Sequence, residues 1–396
     1  TQSVAGIISI SNLQVSSLGN INLGTAPNSV SSLGLVAADG YFNFHQAGAT
    51  LGITKAITAG NIKIDASNAT LTTSTNSVSP LSMSGGNSEI YAANVEFNDA
   101  QAINTGSYGM EIFANTLSFG TNAGITGRSL NLATLSGGSL TCGPGSICNI
   151  ANLNKINSTE LQIGRDGTRT TPFSTQAIPA TTSLHLTEAI TRSGTGNALY
   201  LTATGAITQA SLADISVDVF GASSETAAVT LNNWDAGGYS GNQFNTILGS
   251  AATSFTLSSK NLLTVGSVTP YGEPLPVRGI IAPVVDLRSA DGLRSQTTDD
   301  GIIASTSINL FSGNSGWMTA SGIGTNSLPF HTKSPQLTVE STADVYLKNE
   351  GASNLQFSRD YGYVVDVDIV NDGDLSISST NEGYISLSAE TNGNLT

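Results

Sequence analysis

Four aspartates crowd one short stretch, VVDVDIVNDGD: Asp366, Asp368, Asp372 and Asp374. Strand alternation puts Asp366 and Asp368 on one face and leaves residues 371–374 for the turn that follows. Hard oxygen ligands converging from a strand and a turn suit Ca2+. The spacing matches no EF-hand loop and no GGxGxD repeat, so a solvated acidic edge is the plainer account and calcium the sharper one. Asp299 and Asp300, in TTDDG, are adjacent acids. Inverting glycoside hydrolysis needs an acid and a base with room for a water between them. Yet the three histidines, His45, His185 and His331, are scattered, and no Arg-x-Lys supports the pair. An Asx-type turn accounts for these two aspartates, and no catalytic residue is assigned. Trp234, Tyr239 and Phe244 lie in NNWDAGGYSGNQFN. Aromatic rings stack on sugars and carry interface energy, which makes this a possible ligand loop. The alternative is that Trp234 folds back over its own loop. Cys142 and Cys148 flank a tight turn containing Gly143, Pro144 and Gly145, a spacing that predicts a disulfide and an oxidising compartment. Two free thiols in a reducing compartment are the alternative.

The elements that must position these residues read as short strands. Near the C-terminus Gly373, Gly383 and Gly393 recur every ten residues. Leu375 and Ile377, then Ile385 and Leu387, alternate with serines after the first two glycines, the pattern of a half-buried strand. The same turn-then-alternation occurs at Gly19, Gly60 and Gly196. Glycine is 43 of 396 residues and DEKR only 11%, so Ser, Thr and Asn must fill the exposed positions, which disfavours helices. No stretch holds a helical apolar face over four turns. One such unit cannot bury its apolar face alone, but stacked coils of about twenty residues can. The chain is therefore expected to be an all-β, right-handed parallel β-helix (β-solenoid) with loop excursions, the hand following the rule for parallel crossovers. Residues 164–183 and 232–245 read as excursions. The prolines of 267–284 mark an interruption between solenoid repeats at 1–266 and at 285–396.

A net charge of −14 with 14 Lys and Arg argues against nucleic acid or anionic membrane as a partner. No run approaches the roughly 20 apolar residues of a membrane helix. The ends read as those of a mature or excised piece.

Residues 307–351 carry a strand, a glycine-rich turn, GIGT-x-x-x-P, a second strand and ADVYL. This pattern, with GDLSIS and GYISLS further on, resembles the repeats of filamentous-haemagglutinin-type exoproteins, bacterial surface adhesins secreted by the two-partner route. The resemblance covers residues 307–396 best, and no NPNL-like motif of the family's secretion domain is present. It implies a rigid, non-enzymatic β-solenoid stalk on the bacterial cell surface, extracellular, with loops for adhesion to host or neighbouring cells, to glycans, or for self-association. A polysaccharide-active β-helix enzyme or phage tailspike is the alternative.

Overall fold

Alternating strands make up most of the chain, and almost every pairing between them is parallel. The structure is a computed structural model that describes all residues except 4, 75–80, 84, 99–102, 166–178, 234–240, 271–274, 314–321, 352, 359–364, 380–384 and 396. The fold is all-β, a parallel β-solenoid. Among the described residues the one helix is a four-residue turn, Ile150–Leu153. The chain divides into two units, Thr1–Leu184 and His185–Thr396.

In the first unit Phe44 pairs with Ile64, Ile64 with Ile90, Ile90 with Ile112 and Ile112 with Leu132. Each is at most 1% exposed. A second ladder joins Leu51, Leu71, Val95 and Leu117, and a third joins Val36, Ile57 and Leu81. Period-2 alternation supplies one inward residue per coil to each ladder, and burying each such side chain contributes about 1.5–3 kcal/mol. Partners are twenty residues apart between Phe44 and Ile64, but twenty-six between Ile64 and Ile90. The inward column stays in register across both spacings.

The second ladder is interrupted after Leu117. Residues 116–119 pair with 94–97 on one edge, and among the described residues no strand takes the other. There the Asn152 side chain donates to the Leu117 carbonyl at 2.6 Å. Asn152 sits in the helical turn that follows the loop closed by the Cys142–Cys148 disulfide, whose Cα atoms are 4.8 Å apart. The same side chain also donates to the carbonyl of Ile147 at 3.2 Å, and Asn149 caps the helical turn by accepting from the Asn152 amide at 2.9 Å.

In the second unit Ile207, Val229, Phe255, Val285, Ile308, Leu337, Leu355 and Ile377 form one column of parallel partners. A second column is polar. Thr332 pairs with Asn349, and Asn349 with Asn371. The Asn349 amide donates to Asn371 Oδ1 at 2.8 Å and accepts from Thr332 Oγ1 at 3.0 Å, and Asn371 donates onward to the Gly373 carbonyl at 2.9 Å. Gly373 sits at φ +128°, a conformation a side chain would strain, so this member of the ten-residue glycine repeat has a definite backbone cause. Leu375–Ser379 pairs in parallel with Ser353–Ser358, and Ile385–Thr391 with Val365–Asp372, so the two units that announced the repeat are not a hairpin. Residues 267–284 lie inside this unit. Ser267–Val268 pairs antiparallel with Val277–Arg278, after which Ile280–Ile281 rejoins the parallel ladder.

Candidate functional site

Cys142 and Cys148 are joined as the sequence indicated, both 1% exposed. Trp234 and Tyr239 lie outside the described residues. Phe244 is not a ligand-loop residue. It is fully buried in the strand Gln243–Ala251, with its ring 4.7 Å from that of Phe220. The strand begins at Gln243, inside the stretch that the glycine-rich composition marks as an excursion, so Phe244 takes an inward alternate. Asn242 re-anchors the chain there: its buried amide donates to the Leu231 carbonyl at 3.0 Å and accepts from the Ile215 amide at 2.9 Å.

Asp366, Asp368, Asp372 and Asp374 do not converge into a calcium site. Among the described residues no group of three or more His, Cys, Asp or Glu side chains is placed to hold a metal. Instead Asp374 Oδ1 accepts from the Asn394 amide at 2.8 Å, Asp372 accepts from the Asn392 side chain at 3.2 Å, and the Asp366 amide donates to Asp344. Asp368 is the ladder partner of Tyr346. Burial pushes the Tyr346 hydroxyl up from its ordinary pKa, and Asp344, Asp366 and Asp368 add to the effect.

Asp299 and Asp300 share a turn built on Thr297. The Thr297 hydroxyl accepts from the Asp299 amide at 3.2 Å and donates to Asp300 Oδ2 at 2.8 Å. Asp299 is exposed and 3.6 Å from the Arg278 guanidinium. Asp300 is fully buried, and its Oδ1 has no hydrogen-bond partner. The next residue, Gly301, packs against His331 so closely that a Cβ would meet its carbonyl oxygen at 2.8 Å. Burial, aided by Lys348, holds the His331 imidazole below its ordinary pKa, against smaller upward effects of Glu350 and Asp299. The fold thus brings Arg278, Asp299 and His331 to one corner, a grouping that the linear spacing does not show.

A second grouping escaped the sequence reading altogether. Because Ile64, Ile90, Ile112 and Leu132 point inward, their neighbours form two outward columns. One is Lys63, Glu89, Glu111 and Asn131, and the next is Asp65, Tyr91, Phe113 and Ala133. Outward residues of a solenoid normally meet water, yet Glu89 is 2% exposed, Tyr91 4%, Phe113 0% and Asn131 4%. The Tyr91 and Phe113 rings stack at 4.9 Å. Lys63 Nζ lies 5.3 Å over the Tyr91 ring, and the Arg165 guanidinium 5.3 Å over Phe113. Tyr91 Oη donates to Glu89 Oε2 at 2.9 Å. The legible signal was a repeat, Glu-Ile-aromatic-Ala, at residues 89–92 and again at 111–114. Two carboxylates one strand apart on a protected face can share a cation or a proton, which gives this face the most chemical potential among the described residues. No protein-family model, curated protein or solved structure matches the chain.

Proposed function

We propose that this chain is a structural and adhesive section of a secreted bacterial surface protein, a β-solenoid spacer that carries binding surfaces on its turns and outward faces. The observation that carries this is the unbroken matching of partners, such as the column from Ile207 to Ile377, in which each coil bonds to the next through parallel backbone ladders. Force along such a stack passes through each coil-to-coil interface in turn and is shared there by its parallel ladders, which suits a stiff spacer better than a mobile enzyme domain. The low content of charged side chains and the disulfide support an extracellular setting. The resemblance of residues 307–396 to haemagglutinin-type repeats supports the adhesive role, with glycans, neighbouring cells or like chains as partners.

A second reading, cleavage of a polysaccharide, draws on the corner where Arg278, Asp299 and His331 meet. One experiment separates the two. The purified chain is offered a panel of acidic and neutral polysaccharides and whole cells, and both retention and release of sugar ends are scored. Retention without turnover supports the adhesive spacer. Turnover that disappears in Asp299→Asn/Asp300→Asn replaces it with the enzyme.

A further inference from the structure

The sequence reads Asn-x-Thr at Asn68, Asn157 and Asn394, the acceptor pattern for attaching a sugar to an asparagine amide. The fold treats the three differently. Asn394 is tied down: its backbone amide donates to Asp374 Oδ1 at 2.8 Å, and its side chain donates to the same oxygen at 3.2 Å. Asn157 is exposed but lies within the strand Ile156–Gly164, as the parallel partner of Thr126. Asn68 stands outside the ladder. The strand Asn61–Thr73 follows its neighbour Ser88–Phe97 as far as Ala66, opposite Ala92, and resumes at Thr70, opposite Asn94. Residues 67–69 thus oppose the single residue Ala93, which makes a bulge. Its two feet are fixed. The Asp65 carboxylate accepts from the Ser67 amide at 3.2 Å and from the Ser67 hydroxyl at 2.5 Å. On the other side Ala69 is 1% exposed, and the Thr70 amide donates to the Ala49 carbonyl at 3.0 Å. Asn68, between them, is exposed.

We infer that Asn68 is an N-glycosylation site, the acceptor of a glycosyl group from a diphosphate-activated donor. In the transfer Asn68 Nδ2 bonds to C1 of the sugar, and the bond from C1 to the donor's phosphate oxygen breaks. A base of the transferase takes one amide proton, and the diphosphate leaves. An enzyme that surrounds an Asn-x-Thr segment must reach its backbone. The bulge offers backbone without a strand partner, whereas reaching Asn157 means opening the ladder that joins its strand to Ile125–Ala133. Thr70 completes the acceptor at one foot of the bulge. Its hydroxyl accepts from the Asn94 amide at 3.1 Å, which leaves its own proton to donate. A sugar on Asn68 would stand clear of the buried columns at Ile64 and Leu71. The inference goes beyond the adhesive reading and does not depend on it.

The full chain, made in cells that lack asparagine-linked transferases, is offered in its folded form to two systems. One pairs an asparagine glycosyltransferase with uridine diphosphate glucose. The other pairs an oligosaccharyltransferase with a polyprenyl diphosphate oligosaccharide, and the arm that works identifies the source of the donor. Peptide mass spectrometry reads the occupancy of each asparagine. In at least one arm Asn68 is expected to be occupied at least about tenfold more than Asn157, which the ladder protects. Thr70→Ala should lower the occupancy of Asn68 about tenfold or more, and Thr70→Ser, which keeps the hydroxyl, should retain most of it. Asn68→Gln, a change at an exposed tip, should remove the added sugar, and its persistence would place the site elsewhere and overturn the proposal. An unoccupied Asn68 in both arms would also overturn it, as would equal occupancy of Asn68 and Asn157 on the folded chain.

Discussion

Each unit carries a column of polar residues that repeats once per coil, and the two columns are finished differently. In the second unit Thr332, Asn349 and Asn371 are buried, and the two amides bond to one another and to nearby backbone. In the first unit Glu89, Glu111 and Asn131 share a face, and Asn131 is left with no partner at either end. Both columns arise from the same period-2 pattern. The difference lies in saturation: a closed set of hydrogen bonds fixes a backbone, whereas a buried amide bonded at neither end costs stability. The exposed aspartates 372 and 374 sit at a third extreme, where Asn392 and Asn394 on the next turn satisfy each acid singly.

The comparison breaks most clearly at Asn349. Its amide donates to the Ser334 carbonyl at 3.2 Å and accepts from the Ser334 amide at 3.1 Å, besides its links to Thr332 and Asn371. Asn349→Ala should cost about 2–4 kcal/mol by urea denaturation, because it strands several buried partners at once. Asn131→Ala should cost far less, since it removes no bond. Equal losses at the two positions would erase the distinction between closed and open columns.

Next in size is the disulfide. Cys142→Ser/Cys148→Ser should lower stability by about 2 kcal/mol, a modest effect for so short a loop. Hydrogen exchange should localise the change to residues 116–119 and 143–155, because Asn152 joins those two segments. Smaller still is Asp300→Asn, expected to raise stability by about 1 kcal/mol: the amide keeps the Thr297 contact and removes a buried charge whose second oxygen is unpaired. A loss on this substitution would show that the Asp300 charge has a partner in solution.

The smallest effect is that of His331. Its folded pKa lies below 6.5, so the unfolded chain binds the proton more readily and stability should fall as pH drops through the range below 6.5. His331→Gln should flatten that slope, and an unchanged pH profile in equilibrium denaturation would remove the assignment.

The strands were legible because stretches such as Ile62-Lys63-Ile64-Asp65 alternate without ambiguity, and the parallel arrangement followed from the glycine spacing. The burial of Glu89 was not legible. Alternation says that a residue faces outward, but not whether anything lies over that face. Phe244 failed for a related reason: glycine-rich sequence hides where a strand begins, and this one reaches back to Gln243. Asp299 and His331 come together because Ile302 and Thr332, thirty residues apart, are ladder partners, a register that the linear sequence does not show.

The excursion between Cys142 and Lys155 has a kinetic consequence. Where each coil touches only the next, structure can nucleate anywhere and spread like a zipper, and fraying can travel the same way. A stretch held by side-chain bonds and a covalent link lacks the regular ladder along which such a front advances. Fraying that starts at the first strand, Ser9–Ser17, should slow there, where the ladder joining Ile125–Leu132 to Ile156–Ile163 carries the front past the excursion, so amides of residues 143–155 should exchange apart from those of the ladder beside them.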